Sequence, residues 1–337
     1  MFLYRDIFKK SFFITWKHKQ LWFFGIFAAL LSGFNQCSMS MKSMSEDWNS
    51  SIFSATSFFY SKVIATGSFW AKLASVFQRD PVHALIFTAF MLVLLAIFLF
   101  LLWLAVISQA GLINNGARIL VGGKNETNTI GGGLKAGMKN FWPVLTFDII
   151  AAGLISFFSI LVGLPLIFLT IQADFSLYLL YVLLFVLFIP LALIVSFLAK
   201  YAICFVVLKG ERFVDAFVEA YRLFEKNWLI SIEVALIVFM IEFIFIVAIG
   251  LLFLILAIPY IFLAKALSLA IIMVLGINSF FPWAIIVGLI LAIILLALCG
   301  AVLTVFKTVV WTDVFVRLVD KKGGLSKIVR LAARLRK

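Results

Sequence analysis

Gln109, Asp148, Lys200, Glu233, Glu242 and Lys307 interrupt long apolar runs of this 337-residue chain. A charge in hydrocarbon is costly, so such residues persist where they pair, line a polar cavity or help to move an ion. Asp148 follows Trp142 by about two helical turns, and Glu233 follows Trp228 by just over one, so both fall in the membrane half nearest the flanking Lys139 and Lys226. Lys200 and Lys307 lie near the far ends of their own runs, at a similar depth. Gln109-Ala110-Gly111, Lys200-Tyr201-Ala202 and Lys307-Thr308-Val309 align loosely as one repeated position. Two carboxylates and two ammoniums at one depth can offset each other's desolvation. Three arrangements fit: ion pairs that fix helix register, a polar pocket of lipid-headgroup size or transport path, and separate snorkelling of each side chain to the surface. Glu242 stands apart, roughly 20 Å along the helix from Trp228. It is on nearly the opposite face from Glu233, so the two acids are not a catalytic dyad. It reads as a protonated acid within the bundle or as an acid close to the far surface.

Other catalytic signatures are missing. No phosphate-binding G-x-x-x-x-G-K-[ST], no G-x-S-x-G, no H-E-x-x-H and no dinucleotide fingerprint occurs. Gly122-Gly123-Lys124 and Gly131-Gly132-Gly133 lack the strand-to-helix setting of a phosphate loop and read as a flexible connector. Cys37, Cys204 and Cys299 are far apart and His18 and His83 are isolated, so neither a disulfide framework, nor a metal site, nor a cofactor is expected. The formal net charge of +13 comes from basic residues that flank apolar runs, which suits anionic headgroups rather than nucleic acid.

The elements that must position these residues are membrane spans. The chain is 65% hydrophobic and 13% charged, against about 25% charged in a soluble domain, so lipid must be the solvent over most of its surface. Crossing a hydrocarbon core of about 30 Å takes about 20 apolar residues. Runs at 21–34, 84–108, 142–171, 176–208, 228–258 and 282–312 qualify, the first by extension backward through Ile14 and Trp16, and Pro190 should kink the fourth. The segment 260–281 fits a seventh span, a re-entrant segment or an interfacial helix. Six spans place most of the 28 Lys and Arg on one side, at 1–20, 109–141, 209–227 and 313–337, whereas a seventh would carry the cationic tail across. The positive-inside rule therefore predicts six spans with both ends cytoplasmic. The first run lacks an A-x-A site and reads as a span rather than a cleaved leader. The outer loop 35–83 interleaves aromatic residues with Lys62, Lys72 and Arg79, as surface helices do. Asn49-Ser50-Ser51 and Asn125-Glu126-Thr127 match a glycosylation pattern that is common by chance, and Asn125 should face the cytoplasm.

The spans come in pairs. Lys19-Gln20-Leu21-Trp22, Lys139-Asn140-Phe141-Trp142 and Lys226-Asn227-Trp228 precede the first, third and fifth. Trp22, Trp142 and Trp228 suit headgroup depth, and Lys139 and Lys226 suit phosphates. Amphipathic stretches lead into them: Ile7, Phe8, Phe12 and Phe13 against Arg5, Lys9 and Lys10, then a weaker Gly-rich version at 131–138, then Phe213, Phe217, Ala220, Tyr221 and Phe224 against Arg212, Asp215, Glu219 and Arg222. The expected fold is all-α integral membrane: six transmembrane helices as three units of surface helix plus hairpin (1–124, 125–210, 211–324), closed by an amphipathic helix at 325–337 in one membrane domain. Three such hairpins can bundle with an approximate threefold relation and enclose a cavity.

Amphipathic helix, Lys-Asn-Trp lead-in and hairpin, with the Ala216, Ala220, Phe224, Lys226-Asn227 spacing, resemble a broad group of prokaryotic six-span membrane proteins. That group includes the membrane domain joined to some glycerophosphodiester phosphodiesterases. The resemblance implies the fold and a bacterial or archaeal plasma membrane. It supplies no catalytic residues, and the phosphodiesterase domain's metal-binding carboxylates and histidines have no counterpart in this chain. The resulting expectation is a non-enzymatic scaffold that binds membrane lipids, with anionic headgroups and an undefined protein as partners. The alternatives are a transporter or permease-like component for a lipid or other hydrophobic substrate, and a lipid-acting enzyme completed by a separate catalytic partner.

Overall fold

The computed structural model describes residues 3–29, 81–121, 130–171, 175–275 and 280–319. Most of the outer loop, Cys37, both glycosylation patterns, Gly122-Gly123 and the tail helix at 325–337 lie outside the described residues. Among those described, the helices are α1 (Leu3–Lys17), α2 (Gln20–Ala29), α3 (Pro81–Val121), α4 (Ile130–Lys139), α5 (Phe141–Ile171), α6 (Phe175–Cys204), α7 (Phe213–Leu275) and α8 (Phe280–Val319), and no strand occurs. Five of them, α3 and α5 to α8, are long and apolar enough to cross a membrane, while α2 is a shorter apolar helix. The chain divides into two compact units. One is Leu30–Ala105, whose described part is the lipid-ready first portion of α3, exposed along nearly its whole length. The other comprises Met1–Ala29 and Val106–Lys337 and holds every site discussed below.

Within this larger unit α5 pairs with α6, α6 with α7, α7 with α8, and α8 with α1. Ile14, Leu21, Phe24, Leu112, Val305 and Val309 form a buried core that joins α1, α2, α3 and α8, with Leu134 of α4 packed against it. A second, aromatic core links α6, α7 and α8. Phe197 meets Phe224 and Trp311, Tyr201 meets Trp311 and Phe315, and Phe205 meets Phe315 edge-on at 4.8 Å. The end of α6 widens into a π-helical turn, Phe205–Lys209, and stops at Gly210. Gly210 has φ +70°, which a residue without Cβ adopts freely, and its N–H caps Val206 O at 3.0 Å. Pro190 sits inside α6, which continues through it.

The basic–amide–Trp lead-ins are helix breaks. Asn227 leaves helical geometry at φ −131°, ψ 27°, and its side-chain amide donates to Leu223 O at 3.1 Å. Asn140 does the same at the α4–α5 junction, donating to Ala136 O at 3.1 Å. An amide four residues past a carbonyl thus adds a side-chain donor to the last turn before the break, and at Ala136 O it joins the backbone N–H of Asn140 at 3.3 Å. At the α1–α2 break the role passes to Trp22, whose indole donates to Thr15 O at 2.8 Å.

Three expectations change. The glycine run Gly131-Gly132-Gly133 is not a flexible connector but part of α4. Gly133 and Gly137 are the close approaches of α4: a Cβ on Gly133 would meet Asn115 of α3 and Phe24 of α2, and one on Gly137 would meet Ile107 of α3. Close approach compensates for glycine's poor helix propensity. The helices that contain the second and sixth apolar runs do not end at Ser108 and Thr312: α3 and α8 continue to Val121 and Val319, largely buried over 110–117 and 313–315. Finally, 260–275 is not a separate element. It prolongs α7 through Pro259, so that roughly 70 Å of helix follows Asn227, more than twice a hydrocarbon core. Tyr260 locks this extension to α8: its hydroxyl donates to Ala284 O at 2.5 Å and its ring covers Gly288. Tyr260→Phe is expected to cost about 1 kcal/mol, read as a small fall in the thermal midpoint of the detergent-solubilised protein with helicity unchanged.

Candidate functional site

The intramembrane polar residues resolve into two groups held by different helix pairs. In the first, Gln109 of α3 donates through Nε2 to Asp148 Oδ1 of α5 at 3.5 Å. Gln109 Oε1 and Asp148 Oδ2 are both buried with no hydrogen-bond partner among the described residues. With Asp148 ionised both atoms are acceptors, and a carboxylic acid there would supply the donor the pair lacks.

The second group lies across α6, α7 and α8. Lys307 Nζ donates to Glu242 Oε1 at 2.9 Å, a short charge-assisted contact with both side chains mostly covered. Lys200 is within electrostatic reach of both Lys307 and Glu242. Its Nζ lies 4.6 Å from the centroid of the Trp311 ring and 6.0 Å from that of Phe197, where the ring faces attract a cation. Two ammoniums against one carboxylate leave an excess positive charge in this group.

Glu242, read from sequence as a solitary acid, is therefore the partner of Lys307. The reason is reach. A helix side chain leans toward its own N-terminus, so Lys307 extends along α8 toward the α7 residues farther from Asn227. Depth judged from Cα position alone misassigns a lysine. Gln109 and Lys307, aligned as one repeated position, fall in different groups. Glu233 is partly buried on α7, nearer the Asn227 break than Glu242. Of the interfacial anchors, Trp142 and Trp228 are exposed, as are Lys139 and Lys226, while Trp22 is partly buried by its bond to Thr15.

Two polar features were missed. Tyr201 and Ser231 share a buried 2.7 Å hydrogen bond, and Ser231 Oγ also donates to Asn227 O at 3.1 Å, which ties α6 to the break in α7. Asp313 is almost wholly buried, with Arg317 Nε donating to its Oδ1 at 3.0 Å. The i, i+4 spacing of Asp313 and Arg317 was the available signal, obscured because the apolar run was ended one residue earlier. His18, in the α1–α2 break, has its pKa lowered by burial and then by the neighbouring Lys17.

The amphipathic faces also differ from expectation. In α1 it is Ile7, Ser11, Ile14 and Thr15 that are buried, while Phe12, Phe13 and Trp16 are exposed. In the first part of α7 the fully buried residues are Ala216 and Ala220, with Phe213 stacked on Phe147 and Phe224 tilted against Phe197, while Phe217 and Tyr221 are exposed. Small residues allow backbones to approach, so they mark the protein-facing side, and bulky apolar residues are left on the outer face. Among the described residues no group of His, Cys, Asp and Glu has a metal-binding arrangement. No protein-family model matches the chain, and neither a curated protein nor a solved structure does.

Proposed function

We propose that the chain is a non-enzymatic, multi-pass membrane protein that binds lipid and organises the membrane around it. The observation that carries this reading is the use of the intramembrane charges. Glu242 is engaged by Lys307, Asp148 by Gln109, and Lys200 by the Trp311 ring, so these groups act on neighbouring helices. Aromatic residues and cations exposed together on α1 support contact with anionic headgroups. In this reading α2 is the start of a sixth span, the break residues mark three surface-helix-plus-hairpin units, and both ends lie on the cytoplasmic side of a prokaryotic plasma membrane. The group that includes the glycerophosphodiester phosphodiesterase membrane domain then provides the fold analogy.

The excess positive charge of Lys200, Lys307 and Glu242 favours a second reading, a permease-like path for a lipid or another hydrophobic anion. Reconstitution into vesicles with a fluorescent phospholipid separates the two. The scaffold reading expects no flux above that of protein-free vesicles. Flux that falls at least about tenfold in Lys200→Met or Lys307→Met, equivalent to about 1.4 kcal/mol, would establish transport instead.

A further inference from the structure

Where α1 crosses the last turns of α8, Asp6, Lys9, Lys10, Phe12, Phe13 and Arg317 line an open cavity of about 460 Å³. The volume is within the roughly 300–1,000 Å³ typical of small-ligand sites. Its charges are arranged rather than scattered. Arg317 uses its Nε on Asp313, leaving the remaining guanidinium donors of its fork, and Lys10 uses one donor on Leu120 O at 3.0 Å, which caps the end of α3. Lys9 is exposed on the cavity's edge. Lys9, Lys10 and Arg317 outnumber Asp6 and Asp313, so these five side chains carry a net positive charge. Such a balance suits an anionic group such as a phosphate diester. The site is also amphipathic: beside the cations, Phe12 stacks on Trp16 at 6.3 Å, and both are more than 60% exposed, as is Phe13. Lys17 Nζ lies 5.3 Å above the Phe13 ring. The stripe Lys9, Phe13, Lys17 repeats at one helical turn, while the opposite face of α1 is fixed to the bundle by Ile7, Ser11 and Ile14. A mostly apolar groove, with the side chains of Lys9, Lys10 and Arg317 on its wall and exposed aromatic rings beside it, accepts a molecule with an anionic head and an apolar body.

We infer that this cavity is a binding site for one anionic glycerophospholipid of the bilayer, its phosphate diester among Lys9, Lys10 and Arg317 and its acyl region along Phe12 and Phe13. The inference rests on the lipid-binding reading above and gives it a place and a ligand class. It does not involve the intramembrane charges.

The test is native mass spectrometry of the full chain released from detergent micelles doped with phosphatidylglycerol or phosphatidylcholine, with tryptophan quenching by brominated forms of each lipid as a second readout. The wild-type protein should retain one phosphatidylglycerol about tenfold more tightly than phosphatidylcholine, and Lys9→Glu should abolish that preference while Lys9→Arg keeps it. Lys9 is exposed, so folding survives its substitution, and Lys135→Glu, an equal charge change at an exposed position of α4, should leave retention unchanged. Preference for phosphatidylglycerol that persists in Lys9→Glu removes this site but leaves lipid binding intact. Equal retention of both lipids by the wild-type protein overturns the site and the lipid-binding reading together. Binding of inorganic phosphate that competes at equal concentration with the lipid would show that the cavity reads the anion alone, and would also overturn it.

Discussion

Gly137→Val is expected to be among the most damaging single substitutions in the chain. A Cβ at Gly137 would run into the carbonyl oxygen of Ile107 and would stand 2.7 Å from Ile107 Cγ2. Backbone cannot rotate away as a side chain can, so α4 must lift off α3 and take the Phe24–Leu112 core with it. Overpacking usually costs 1–3 kcal/mol, and with a backbone atom as the obstacle the cost should reach at least about 3 kcal/mol. The measurement is the thermal midpoint of the detergent-solubilised protein, followed by the monodisperse fraction after heating. Gly131 is the control, in the same helix with nothing within 4 Å of its would-be Cβ. There alanine should be neutral or stabilising by up to about 1 kcal/mol, because glycine is the poorer helix former. Destabilisation of similar size at both positions would mean that α4 is not held to α3 by close approach.

Such positions show what hydrophobic pattern reveals and what it hides. The run lengths sufficed for α3 and α5 to α8, since few alternatives to a spanning helix satisfy the backbone in lipid. The breaks at Asn140 and Asn227 were legible because an amide before a tryptophan differs chemically from everything around it. The helix faces were not. In water an apolar residue on an amphipathic helix points inward, but Phe12, Phe13, Phe217 and Tyr221 point out, which costs nothing where the proposed lipid surroundings cover them. The useful signal was the smallness of Gly133, Gly137, Ala216 and Ala220, which in sequence resembles poor helix propensity. The polar groups were legible as residues but not as partners. Lys307 finds Glu242 rather than Asp148 because side-chain reach and helix order, not depth along a run, decide which charges meet. Likewise Tyr201 and Ser231 look ordinary in sequence, and only the packing of α6 on α7 brings them to 2.7 Å.

The Glu242–Lys307 pair gives the second large effect, and its asymmetry carries the information. Removing one member of a buried pair costs about 3–5 kcal/mol because the other is stranded, whereas replacing both by apolar residues of similar size is often neutral. Here the two single substitutions should not be equal. Lys307→Met leaves the Glu242 carboxylate with Lys200 still in electrostatic reach, so one charge of each sign remains. Glu242→Met leaves Lys200 and Lys307 as two ammoniums with no carboxylate in the group, and should cost more by a margin that double-mutant analysis can resolve, about 1 kcal/mol or above. The double substitution Glu242→Met with Lys307→Met should recover most of the loss, and adding Lys200→Met to Glu242→Met should recover part of it. Thermal midpoints of the four variants in one detergent decide the matter. If the effects of the two single substitutions simply add in the double, the 2.9 Å contact contributes no coupling and the charges do not fix the register of α7 against α8. If coupling is strong and flux in vesicles is unaltered by all four variants, the pair acts as a clamp between helices, which is the behaviour a scaffold requires and a conducting path does not.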